Sequence, residues 1–419
     1  MKKLFYIAFA LGLASCSTAD HDELVSSPKS AHEIYSSHRI TQDEAVSLAT
    51  SFRNNSQTLS RSGDTDESDV ENVVVVRWED LYPGIPNPVI GDEAPVSRGL
   101  EFADAIRPGQ IDTLFYVINN KNDAGYTVVS AYDRIAPVYA SIEHGNFTLD
   151  RDKNSNVQIS YRSVDLLLNS LYMEEVEYIE EVVDKSNILV GICIYPKIKT
   201  CWGTGQRDLG MGNYHSFSVA VAQIQSYFGL SPANYTNDLN WNLIVEDCRN
   251  NKGRPSQSVT KSQMTNLLSF INESLMHKSW RNYLYGCDNQ IKDWLDTQNL
   301  NISNFASYNK RAILTALEED KLVCMFGRER ILGSCLFNDS TNVWVIDGCD
   351  VKVYEDKETG KRSYPQYLHC NWGRGGEANG YYVNKMFDTE DITYLDDKSL
   401  GLGYGFRQED VRYATVSPK

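Results

Sequence analysis

The stretch TLFYVINNKNDAGYTVVSAYDRIAPVYASIEHGNF, residues 113–147, narrows what this chain can fold into more than any other. Two runs rich in aromatic and β-branched residues, FYVI and YTVVSA, flank the turn-forming segment NNKNDAG. Asn, Asp and Gly tolerate the left-handed backbone of a tight reversal, so the pattern predicts an antiparallel hairpin. VENVVVVRW (70–78) reads as a further strand, and the runs VCMFG, VWVIDG, QYLHCNWG and NGYYV make the carboxyl-terminal end strand-rich. Between them lie segments of helical period: 40–55, with Thr41 as cap and Glu44 three residues on, 164–183, 260–275 and 288–297. The expected class is α+β.

A length of 419 residues suggests two domains. The boundary is placed near 185–195, giving one unit over 39–190 and another over 191–419. Before them, Lys2 and Lys3 precede the short apolar run LFYIAFALGLA, and Leu13-Ala14-Ser15 leads into Cys16. This resembles a bacterial lipoprotein signal over 1–15, with cleavage before Cys16 and lipidation of its thiol. The apolar run is too short to span a bilayer. The expectation is an exported chain held to a membrane through that lipid, with 16–38 as a flexible tether. The polar run 56–69 reads as disordered, and a Pro/Gly-rich loop follows 70–78. The net charge is −16 and no Lys/Arg cluster or basic–aromatic stripe occurs, which argues against nucleic acid. Eight further cysteines, an even number, leave disulfide connectivity open. No CxxC pair occurs, and neither metal nor cofactor is expected.

The segment NYHSFSVAVAQIQSYFG, 213–229, reads as a helix leaving a polar loop. Ser216 sits where a helix could present a nucleophile. A hydroxyl is not ionised by a helix dipole and needs a base. His215 is its neighbour, but adjacent helical residues point about 100° apart, so His215 cannot readily face Ser216. Ser216 is therefore expected to cap the helix. Cys201, beside Trp202, is expected to be packed or bridged, and His277 to be exposed.

Three segments carry a resemblance. The 113–147 stretch looks like the propeptide of streptopain-type cysteine peptidases, PKIKTCWGTGQ (196–206) resembles the start of the mature peptidase, and LHCNWGRGGEANGYY (368–382) resembles the family's HxNWGWGGxxNGYY. Together they span about residues 40–415, and they imply a papain-like peptidase fold preceded by a smaller α+β prodomain with an antiparallel sheet. The chemistry implied needs a thiolate at a helix N-terminus, a histidine beside it, a group orienting that histidine and donors for an oxyanion. The family's TGCVATAMAQI falls on Tyr214–Ile224, which puts Ser216 at the cysteine position and His215 at the preceding glycine. Its GGHA[FW]VIDGY falls on 340–349, which puts Asn342 at the histidine position. Asn371 occupies the histidine-orienting position with Trp372 beside it, and Arg374 replaces a tryptophan on the cleft wall. The oxyanion glutamine position holds Thr204, with Gln206 two residues later. His369 belongs to a strand where the family often carries a non-catalytic histidine.

Both dyad members are thus replaced. In a different triad enzyme, losing nucleophile or base alone costs on the order of 10⁶-fold. The reading is a monomeric, catalytically inactive member that binds a peptide or a protein, another peptidase included. The alternative is an active or weakly active cysteine endopeptidase made as a proenzyme; a surface module unrelated to peptide binding is a third reading.

Overall fold

Helix α1, Gln42–Gln57, begins with a reciprocal cap. Thr41 donates its N–H to Glu44 Oε2 at 2.8 Å, and the Glu44 N–H donates back to Thr41 Oγ1 at 3.3 Å. The computed structural model describes residues 39–57, 69–81, 113–133, 137–149, 193–203, 216–276, 287–330, 339–352, 354–355, 362–376, 378–387 and 411–419. After α1 come β1 (Val70–Arg77), β2 (Thr113–Asn120), β3 (Tyr126–Ser130) and β4 (Val138–Ile142), each antiparallel to the next. The β2–β3 hairpin is the one expected from NNKNDAG. Asn122 and Asp123 take positive φ (60° and 61°), and the Asn120 side chain donates to the Gly125 carbonyl at 2.7 Å.

The second half begins with β5 (Cys193–Ile194) and the helices α2 (Ser216–Phe228), α3 (Trp241–Asn250), α4 (Ser258–Met276) and α5 (Cys287–Asp296). Short strands β6 (Leu300–Ile302) and β7 (Ala306–Ser307) and helix α6 (Lys310–Glu318) lead into β8 (Leu322–Arg330) and β9 (Asp339–Val351). A two-stranded ribbon, β10 (Tyr354–Glu355) and β11 (Arg362–Ser363), stands apart. Strands β12 (Gln366–Asn371), β13 (Gly380–Val383) and β14 (Arg412–Pro418) complete the chain. The helix expected at 164–183, residues 58–68 of the polar run expected over 56–69 and the segment 82–112 lie outside the described residues, as do the leader and tether; residues 56 and 57 belong to α1.

One antiparallel sheet runs through both halves, in the order β1-β2-β3-β4-β13-β12-β9-β8-β14-β6. The observed class is α+β with a large antiparallel sheet. The halves join where Ile142, Ser141 and Ala140 of β4 pair with Gly380, Tyr381 and Tyr382 of β13. Glycine is required there: a Cβ on Gly380 would lie 2.2 Å from the Ser141 carbonyl oxygen. Across this seam the Tyr367 hydroxyl donates to the Val138 carbonyl at 3.0 Å, and Phe52 of α1 meets the Tyr367 ring edge-on at 4.7 Å. Lys352 lies 5.0 Å over the same Phe52 ring and pairs with Asp350 at 2.6 Å. The core follows: Phe115, Val117 and Tyr139 belong to the same buried cluster as Trp344, Ile346, Leu368 and Tyr382. A second cluster gathers α2, α4 and the other face of β8 and β9.

Helix α4 is anchored by a buried carboxylate. Asp247 of α3 accepts the N–H groups of Ser256 (2.8 Å) and Gln257 (3.1 Å) and the hydroxyls of Ser256 and Thr260. Burial alone would raise its pKa; these donors outweigh it and bring the group down to about 2. A depressed carboxyl stabilises above its unfolded pKa, and that stability is lost as pH falls through the folded value. Asp247→Asn is expected to lower stability by about 2 kcal/mol at neutral pH. The gap from wild type should close between pH 4 and about 2 in urea titrations.

Candidate functional site

Helix α2 sets the site. Phe217 to Ser226 are all buried, so the helix runs inside the protein against β9 and α4. A helix enclosed on every side must be apolar or satisfied throughout. Ser218, Ala220 and Ala222 keep it slim, and Ser218 and Ser226 have partners, whereas the buried Gln225 amide has none among the described residues. Ser218 Oγ donates to Asn272 Oδ1 at 3.1 Å, and Ser226 Oγ lies 3.0 Å from Thr200 Oγ1.

Ser216 opens this helix. Its Oγ accepts the N–H of Val343 at 3.1 Å, across 127 residues of sequence. Two positions singled out separately in the sequence, Ser216 and Asn342, therefore flank one point, where the start of α2 meets β9. The sequence reading makes Ser216 a cap for its own helix; the bond found here ties helix to sheet. Asn342 is half-buried and pairs with Gly327 of β8. Alternation along β9 turns Val343 and Val345 to the α2 cluster and places Asn342 on the face of Trp344. Trp344 stacks on Trp372 with ring centroids 4.8 Å apart.

Asn371, at the end of β12, is buried and engaged by the scaffold. Its Oδ1 accepts from Gln223 Nε2 (3.0 Å) and from the Gly373 N–H (3.4 Å), while its Nδ2 donates to the Thr200 carbonyl (2.9 Å). The amide thus holds α2, β12 and the 200 region together. Beyond it, Arg374 forms an isolated bridge with Gly203, and the Gly375 N–H donates to the Trp202 carbonyl at 3.0 Å. The two motif segments touch so closely that a Cβ on Gly203 would lie 2.6 Å from the Gly375 nitrogen. Arg254 fixes the outer side, donating from Nε to the Gly375 carbonyl at 2.7 Å. His215, Thr204, Gln206, His277 and Cys16 lie outside the described residues.

Six described cysteines, Cys193, Cys201, Cys248, Cys324, Cys349 and Cys370, carry free thiols. Cys201 is half-buried, and its sulfur packs against Gly253 and Gly376 and accepts from Asn379 Nδ2 at 3.5 Å. Burial pushes its pKa up to about 12, as it does for Cys324. A thiol that keeps its proton is a poor nucleophile. Cys193 and Cys349 lie on paired strands but face opposite sides, since Cys193 opposes Asp350 and Cys349 opposes Ile194.

Residues 37–165 match the model of the Spi protease inhibitor family, a span of less than half the chain. Among solved structures, the chain is similar to a mutant fragment of Prevotella intermedia prointerpain A. The identity is 16%, the match covers 73% of this chain and 95% of that one, and the TM-score is 0.39. A search of curated proteins returns no match.

Sequence reasoning missed the charged cluster behind the site. His369 of β12 is buried and donates through Nδ1 to Asp347 Oδ1 at 2.6 Å. Its Nε2 lies 3.3 Å from Glu143 Oε1, an ion-pair distance. Asp347 is fully buried, and its other oxygen accepts the Ile198 N–H at 2.8 Å. Only the VIDG run hinted at Asp347; nothing near Glu143 in sequence points to a histidine so far along the chain. Burial would lower the His369 pKa, but the two carboxylates outweigh it and raise it to about 10. A raised histidine stabilises fully below its unfolded value of 6.5, and that contribution disappears as pH climbs through about 10. His369→Gln strands a buried carboxylate and is expected to cost about 3–5 kcal/mol at pH 6. Denaturant curves for both proteins should converge as pH is raised to 10.5.

Proposed function

We propose that this chain is an exported lipoprotein, anchored through Cys16, with a streptopain-like pro-peptidase architecture and a catalytically silent site that acts by binding peptide or protein. One observation supports the reading: the Val343 N–H donates to Ser216 Oγ, so the residue at the nucleophile position of the resemblance bonds the backbone next to Asn342, the residue at its base position. A hydroxyl and a carboxamide stand there, where the chemistry needs a thiolate and an imidazole. Asn371, which would orient the base, gives its carbonyl oxygen to Gln223 and Gly373. Cys201 offers no substitute, because its sulfur is packed and holds its proton. The match of 37–165 to a protease-inhibitor family supports a peptidase-related role and another peptidase as a class of partner.

Wild-type protein is expected to leave casein uncut, with or without a thiol alkylator; alkylator-sensitive cleavage would overturn the reading. The site assignment has its own test in iodoacetamide labelling at neutral pH. Ser216→Cys combined with Asn342→His should label at residue 216 at least tenfold faster than Ser216→Cys alone, because a neighbouring imidazolium favours the thiolate. Equal rates would mean that positions 216 and 342 do not face each other across a site.

A further inference from the structure

The Glu143–His369 contact has a second meaning, because its partners come from the two halves of the chain. Glu143 directly follows β4, and its backbone N–H donates to the Asn379 carbonyl at 3.0 Å, extending the β4–β13 ladder by one residue. Its carboxylate then reaches His369 on the next strand over, β12. We propose that this joint is a charge-marked seam that makes α1 and β1–β4 a fixed wall of the protein, one that stays bound after the chain between the halves is cut. The proposal does not depend on whether the site at Ser216 is silent.

Two kinds of contact hold the seam. The apolar part is the shared core: Val138, Tyr139 and Ala140 on one side are packed in one cluster with Tyr367, Tyr381 and Tyr382 on the other. Separating them would return those surfaces to water and leave β13 with an unpaired edge. The polar part selects the register. The groups facing the His369 ring are Asp347 from β9, Glu143 from the β4 side and the ring of Tyr381 on β13, edge-on at 5.1 Å; both carboxylates help to raise the pKa of the nearby Cys201 thiol. Shifting β4 along β13 by a residue would turn its side chains to the opposite face and remove Glu143 from His369. Asn379 links the seam to the site wall. Its carbonyl meets Glu143, its Oδ1 accepts the Trp372 N–H at 3.0 Å, and its Nδ2 donates to Cys201 Sγ.

The test cuts the full chain after it has folded. A specific protease recognition sequence is placed between residues 166 and 192, and the cut protein is run on size exclusion at pH 7. The two pieces should elute together. In a dilution series at fixed, sub-denaturing urea, Glu143→Gln should separate at about tenfold higher protein concentration than wild type, the loss expected for a partly buried charge pair. Glu273→Gln, on the exposed face of α4, should match wild type. If Glu143→Gln does not fold before cutting, Glu143→Asp, which keeps the charge but shortens the reach, takes its place and should also separate more readily. Wild-type pieces that part at pH 7, or a Glu143 variant that behaves like Glu273→Gln, would overturn the proposal.

Discussion

The pairing of β4 with β13 is the constraint on which the rest of the structure depends. Without it the sheet would be two smaller ones, each with an open edge at the break. With it, a single apolar cluster extends from α1 to the strands that carry the site. The chain meets the geometric demand with Gly380, because the backbone of β4 passes where any side chain would sit. Asn379 comes directly before that glycine and uses its backbone and both side-chain groups on three separate segments. The wall of the candidate site is therefore positioned from the far half of the molecule.

The site itself separates scaffold from chemistry. α2 is buried along nearly its whole length, and its position is set by small residues, by Gln223 and Thr200, and by the second core cluster. None of these interactions requires a thiol at 216 or an imidazole at 342. A hydroxyl at 216 still accepts the Val343 amide, so the helix stays docked to β9. Asn371 serves the scaffold directly, filling polar needs of buried segments that would otherwise cost free energy. A fold built this way does not draw its stability from reactive groups.

Features fixed by neighbours in sequence were legible before the structure. The Thr41–Glu44 cap, the Asn122–Gly125 reversal and the helices near 260 and 288 are each local, and each lies within a few residues of where the pattern put it. The candidate site was legible only as positions. The resemblance set Ser216 and Asn342 side by side on paper, but the bond that joins their surroundings runs through a backbone amide, which leaves no mark in the sequence. The continuous sheet was not legible at all. Tyr367 and Val138 are 229 residues apart, and nothing local to either marks the other as its partner. The His369 cluster escaped for the same reason: a histidine reads alike whether it faces solvent or two carboxylates.

The stacked indoles of Trp344 and Trp372 have a use of their own. Their rings are 4.8 Å apart, and Phe387 and Tyr382 close around Trp372. Indole rings this close couple their excited states, and the circular dichroism that results depends steeply on their separation and tilt. One of the pair sits two residues past Asn342 and the other directly after Asn371. The protein thus carries its own optical gauge beside the candidate site, sensitive to a slight parting of β9 from the strand end at Trp372 and needing no added label.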